Sequence, residues 1–134
     1  MDKRNINIKL MEDGRIRLNN NNFVNPKNKV YTLDVEANLV EFLVSGMYIV
    51  KMDVDDYFKL SIWNNRLEFG HADISKGVVA MDDGFKHRSV PALIMNADEN
   101  QRVGYRAKCN KARFDLRKSN LYIKGKANAV AAEG

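Results

Sequence analysis

Residues able to do covalent or acid–base chemistry are few in this chain and lie far apart. The two histidines, His71 and His87, stand outside any metal-spaced cluster of His, Cys or carboxylates. Each reads as a structural histidine, His71 on an apolar strand face. Asp53, Asp55 and Asp56 crowd into MDVDD, but the segment lacks the glycine and the terminal glutamate of an EF-hand loop. It is expected to be a charged turn between strands. Asp82 and Asp83 precede Gly84, and adjacent residues at a strand end point apart, so a turn explains them better than a carboxylate pair sharing a proton. Cys109, between Lys108 and Lys111, is the one candidate nucleophile, although the local alternation turns it inward as a packed thiol. No G-x-S-x-G, P-loop or G-x-G-x-x-G is present. The expectation is a chain with no catalytic residues, no cofactor and no metal, and not an enzyme.

What the chain does concentrate is positive charge. Nine of its 22 Lys and Arg fall within 102–126, where Asp115 is the sole acid among 17. That segment carries +8, against −3 for the remaining thirteen cations and sixteen acids. Within it Val103, Tyr105, Ala107 and Cys109 alternate with Arg102, Arg106 and Lys108. Ala112, Phe114 and Leu116 alternate with Lys111, Arg113 and Arg117, and Leu121 and Ile123 with Tyr122, Lys124 and Lys126. The pattern predicts three antiparallel strands, turning near Asn110 and Ser119-Asn120, apolar on one face and cationic on the other. Like charges facing each other across a sheet destabilise it by tenths of a kcal/mol up to about 1 per pair. One explanation is a solvated face that blunts edge pairing. The other is a surface for a polyanion, formed by Arg102, Arg106, Lys108, Lys111, Arg113, Arg117, Tyr122, Lys124 and Lys126, which releases counterions on binding. Nucleic acid and acidic protein are equal partners in charge terms.

Elements that would position this face are mostly strands. In NINIKLMEDGRIRLN a three-residue loop, Glu12 to Gly14, pairs Leu10 with Ile16 and Ile8 with Leu18 and puts Gly14 at the left-handed position. In YFKLSIWNNRLEFGH an Asn64-Asn65 turn would align Ile62 with Leu67, Leu60 with Phe69 and Phe58 with His71, with Trp63 stacked on Arg66. Between these, Tyr31, Leu33, Val35 and Ala37 alternate on one side of a strand. Val35, Leu39, Phe42 and Leu43 also fit a helical face, leaving room for one short helix near 34–44. Further strands are expected at about 47–52, 77–81 and, after a three-residue Asp-Asp-Gly turn, 85–95, where Pro91 marks an edge or bulge. The expected fold is all-β, a single-domain antiparallel sandwich or small barrel over 1–126, with 19–28 as a surface loop or crossover and 127–134 as a tail.

A length of 134 residues suits one domain. The charged N-terminus and the interruption of the longest apolar run by Glu41, Ser45 and Gly46 predict a chain neither secreted by a signal peptide nor inserted in a membrane, and so cytoplasmic or part of a virion. One fragment, ADISKGVV, resembles the Asp-x-Ser motif of PilZ domains, and RVGYR their paired arginines. Here the arginines follow instead of precede, and Val78 stands where that motif has glycine, so the resemblance is set aside. The 16 asparagines alongside abundant lysine hint at an AT-rich coding genome, as in many bacteriophages. The functional expectation is a non-enzymatic structural protein, a minor or accessory component of a phage- or virus-type particle, forming homo-oligomers or larger assemblies. The alternative is a single-stranded nucleic-acid-binding protein of OB-like form, for which Tyr122 and Trp63 are the candidate stacking rings.

Overall fold

The computed structural model describes residues 8–18, 22–63, 67–73, 77–81, 87–98 and 100–124. Its strands form four small antiparallel sheets. In the first, β1 (Lys9–Leu10) pairs with β2 (Ile16–Arg17), and β2 with β3 (Phe23–Val24). Leu10 faces Ile16, the Met11 N–H reaches the Arg15 carbonyl at 2.8 Å, and Gly14 takes φ +92°. The loop is therefore the three-residue one that burial of the apolar face demands.

The second sheet is a meander of β4 (Val30–Asp34), β5 (Leu39–Val44) and β6 (Tyr48–Met52). It occupies the segment where the apolar spacing also allowed a short helix near 34–44, and the chain there takes the strand alternative. A four-residue turn, 35–38, reverses the chain instead: the Asp34 carboxylate accepts the Ala37 N–H at 3.0 Å and Asn38 adopts φ +56°. Val40, Phe42 and Val44 then point into the core at a period of two, and Val50 and Met52 opposite them are fully buried. The Ser45-Gly46 turn, with positive φ at both residues, matches the sheet twist. A register shift between Val30 and Thr32 turns Tyr31 outward, 48% exposed, against the expected inward side.

The largest departure follows Met52. No hairpin arm forms over 57–63. The chain winds instead into α1 (Val54–Tyr57) and a π-helical turn, Phe58–Trp63. Val54, Tyr57 and Phe58 stand at helical spacing and all three are buried, while Asp55 and Asp56 occupy the first turn, where the helix dipole favours acids. The predicted alternation Phe58-Leu60-Ile62 was real as a pattern but was outweighed by this anchor. The two stretches still touch, the Leu67 N–H donating to the Leu60 carbonyl at 2.8 Å, two residues off the register the hairpin would have had. The Asn64-Asn65 turn and Arg66 lie outside the described residues, and Trp63 packs on Phe58 with ring centroids 4.9 Å apart.

The third sheet joins β7 (Glu68–Asp73), β8 (Gly77–Met81) and β9 (His87–Ser89). The strand expected over 85–95 stops at Ser89, and α2 (Val90–Met95) takes over, with Pro91 in the first turn, where a missing N–H costs nothing. Asn96 closes α2 in the left-handed conformation. The fourth sheet is β10 (Arg102–Tyr105) with β11 (Leu121–Lys124). The chain between them forms two 3-10 turns, Asn110–Phe114 and Lys118–Asn120, so the middle strand predicted in the basic segment does not exist. In its place Asp115 bridges β6 at Lys51, and the Leu116 N–H donates to the Lys51 carbonyl at 2.8 Å.

A continuous apolar cluster runs from Ile8 to Leu121 through all four sheets. Its centre is aromatic: Phe42 meets Phe69 at 4.7 Å and Tyr57 at 5.4 Å. Asn28 ties β5 to β7, donating to the carbonyls of Leu43 (3.1 Å) and Phe69 (2.9 Å) and accepting the Phe69 N–H (3.2 Å). Among the described residues the strands close no barrel, and no helix is long and apolar enough to cross a membrane.

Candidate functional site

The fourth sheet sorts its side chains cleanly. Its register pairs Arg102 with Lys124, Val103 with Ile123, Gly104 with Tyr122 and Tyr105 with Leu121. Directly opposed residues in an antiparallel ladder share a face. Val103 and Tyr105 pack against the core and Leu121 lies within it, so Arg102, Lys124 and Tyr122 share the opposite, outward face. Arg106 continues that row, its N–H donating to the Asn120 carbonyl at 2.8 Å.

Tyr122 lies flat across this face because Gly104 offers nothing to obstruct it. A Cβ at Gly104 would stand 2.6 Å from Tyr122 Cζ, so the ring occupies the space a side chain there would fill. The Arg106 guanidinium sits over the ring, 5.2 Å from its centroid. The result is an aromatic plate with cations at both ends: Arg102 and Lys124 on one side, Arg106 on the other.

Asn120 holds the returning loop in place. It is buried, its Oδ1 accepts the Ala107 N–H at 3.0 Å, and its Nδ2 donates to the carbonyls of Ala112 (3.3 Å) and Asp115 (3.0 Å). This residue, read from the sequence only as a turn former, ties Ala107 to the Ala112–Asp115 stretch of the returning loop. The one available signal was a polar residue preceding an apolar strand start in Ser119-Asn120-Leu121.

The other predicted cations are dispersed. Arg113 stands over Tyr105, on the other side of the sheet, 5.6 Å from its ring centroid. Arg117 is held by Asp115 through two side-chain bonds of 2.8 and 2.7 Å. Those bonds, against a burial effect that raises it, bring the Asp115 carboxyl below the ordinary value and raise the Arg117 pKa. Lys108 and Lys111 are exposed in the loop and the first 3-10 turn. Lys126 lies outside the described residues. Lys118, the cation left out of the expected set, binds back to the helix: its Nζ lies 3.3 Å from Asp56 Oδ1 and its N–H donates to Asp53 Oδ2 at 3.1 Å.

The carboxylates of MDVDD are thus structural in a different way from a charged turn. Asp53 and Asp56 clamp the Lys118 turn, while Asn38 accepts the Val54 N–H at 3.0 Å. Asp56 is buried, and its Oδ2 has no hydrogen-bond partner among the described residues. Burial pushes its carboxyl above the ordinary value, and Lys118 offsets this only in part. The remaining chemical candidates stay apart. His71 is exposed and has Val79 of β8 as its cross-strand partner in place of the expected Phe58, and His87 is exposed opposite Met81. Cys109 is exposed where a packed thiol was expected, because the strand that would have buried it is a bend leading into a 3-10 turn. Among the described residues no three His, Cys, Asp or Glu side chains gather closely enough to hold a metal ion.

Comparison with protein-family models, with curated proteins and with solved structures finds no match.

Proposed function

We propose that this chain is a non-enzymatic binding and assembly module, a minor or accessory component of a phage- or virus-type particle, whose β10–β11 face meets a polyanion. The observation that carries the proposal is the convergence of Arg102, Arg106, Lys124 and Tyr122 on one outward sheet face. Like charges placed directly opposite each other, as Arg102 and Lys124 are, gain from an anionic partner, through counterion release. Large apolar side chains left exposed, Met47 at 71% and Ile49 at 42% among them, favour assembly with protein neighbours. Ring contact between Phe42 of β5 and Phe69 of β7 favours a sandwich as the finer description of the fold.

Size-exclusion chromatography with light scattering, at low and high salt and with heparin added, tests this. Oligomers that resist salt, together with a salt-sensitive heparin complex, support it. A monomer indifferent to heparin at low salt contradicts it. The second reading, an OB-like nucleic-acid-binding monomer, is favoured by the Tyr122 plate and differs in showing no self-association.

A further inference from the structure

The Tyr122 plate has a shape that charge neutralisation alone does not require. A surface built only to meet phosphates needs cations. This one places a ring flat on the sheet at their centre, and the position across from it is a glycine, so that the ring lies down instead of standing up. The Arg102–Lys124 row is four residues along the strand from Arg106, on the order of 13 Å at a rise of about 3.3 Å per residue. The ring lies between these two cationic positions.

A plane recognises a plane. Bases inside a duplex are stacked on one another and present only their edges in the grooves, so a ring lying flat gains nothing from them. An unpaired base has a free face, and stacking on an aromatic side chain is tolerant of sequence. The carboxylates of an acidic protein offer no flat aromatic face to the ring.

We propose that the β10–β11 face is a seat for single-stranded nucleic acid that takes one base on Tyr122. The base occupies the outer side of the ring that Arg106 now covers, and the guanidinium turns to the adjoining phosphate. Arg102 and Lys124 meet a phosphate at the other end. The inference rests on the polyanion reading of the same face and narrows it to one partner.

The test measures binding of three probes to the full chain by fluorescence anisotropy and competition: a labelled oligothymidylate, a duplex of equal length and heparin. The seat predicts that oligothymidylate binds more tightly than the duplex. Tyr122→Leu should weaken oligothymidylate at least about fivefold, the loss of one stacked base, and leave heparin within about twofold. Tyr122→Phe should bind as the wild type does. Gly104→Val, which keeps the tyrosine and fills the space beneath it, should reproduce the selective loss, so the outcome does not depend on one variant folding. Equal affinity for duplex and single strand, or an equal loss of heparin and oligothymidylate in Tyr122→Leu, overturns the seat while the polyanion reading stands. Failure of all three probes to bind at low salt overturns both.

Discussion

Tyr122 occupies the space that a side chain at Gly104 would need: a Cβ built on Gly104 stands 2.6 Å from Tyr122 Cζ and 2.8 Å from its hydroxyl oxygen. The two residues are direct cross-strand partners, so the absence of one side chain sets the posture of the other. Gly104 does not adopt a positive φ, and it is the space above it, not its backbone, that calls for glycine.

Gly104→Ala therefore separates posture from stability. The backbone accepts alanine, and the obstruction is the far end of a side chain that can swing away. Thermal and urea unfolding should show a change under about 1 kcal/mol, while affinity for oligothymidylate falls severalfold. A large loss of stability with unaltered affinity would mean the ring is packing and nothing more.

Asn120→Ala should act in the opposite sense, as a structural lesion. It strips partners from the Ala107 N–H and from the Ala112 and Asp115 carbonyls around a buried residue. The Ala112 carbonyl keeps the Asp115 N–H at 3.1 Å, so the loss falls mainly on the Ala107 N–H and the Asp115 carbonyl, and at about 1–3 kcal/mol per unpaired buried group a total of about 3 kcal/mol is expected in urea unfolding. Asn120→Asp should fail to rescue, because a carboxylate accepts from Ala107 but cannot donate to the two carbonyls. Rescue by aspartate would show that the Ala107 bond alone matters.

These two residues also show what the sequence could and could not disclose. Alternation located β1, β2, β6, β8, β10 and β11, and it correctly put Tyr122 among the cations, because a half-buried antiparallel strand has to alternate. It failed where another geometry satisfied the same apolar residues: Phe58, Leu60 and Ile62 keep a period of two yet lie in a helical turn anchored by Val54 and Tyr57. It failed again over 110–116, where Ala112, Phe114 and Leu116 are buried from 3-10 and extended chain without a strand partner. From the sequence, asparagine is legible only as composition and as turn chemistry. Asn28, Asn38 and Asn120 instead bridge segments distant in sequence, by up to 41 residues for Asn28 and Phe69, and no periodicity foretells which asparagine does so. The plate itself was half legible, since Tyr122 and its cations were in view while Gly104 has meaning only through its cross-strand partner.

The acids near Lys118 give a pH dependence with a worked sign. Asp56 has its folded-state pKa raised above 3.8 by burial, so between 3.8 and that raised value the folded state binds more protons than the unfolded one. Its ionised form lowers stability at neutral pH, and stability is regained as pH falls through the folded value. Asp115, lowered by Arg117, has the opposite sign: its contribution is present above 3.8 and is lost as pH falls through its depressed value. Asp56→Asn should be at least as stable as wild type at pH 7, since the exposed Lys118 contributes little as a pair. Its advantage should shrink on acidification toward pH 4. An Asp56→Asn variant less stable at pH 7, with a deficit that shrinks on acidification, would show that the Lys118 contact outweighs burial.

Phe42 tests the core that supports the face. It is fully buried and contacts the rings of both Tyr57 and Phe69. Phe42→Ala should cost about 3–5 kcal/mol, with the whole chain unfolding in one transition if the four sheets share one core. Two separated transitions would divide the sheets into independent units.

The most direct measurement is the salt dependence of oligothymidylate affinity for the wild type and for Arg102→Ala, Arg106→Ala and Lys124→Ala, with exposed Lys59→Ala as the comparison. If the β10–β11 face is the contact surface, each of the three removes about 0.7–1 from the slope of log affinity against log salt, and Lys59→Ala leaves the slope unchanged. Equal small effects from all four substitutions would mean that the positive charge acts diffusely and that this face is no binding site.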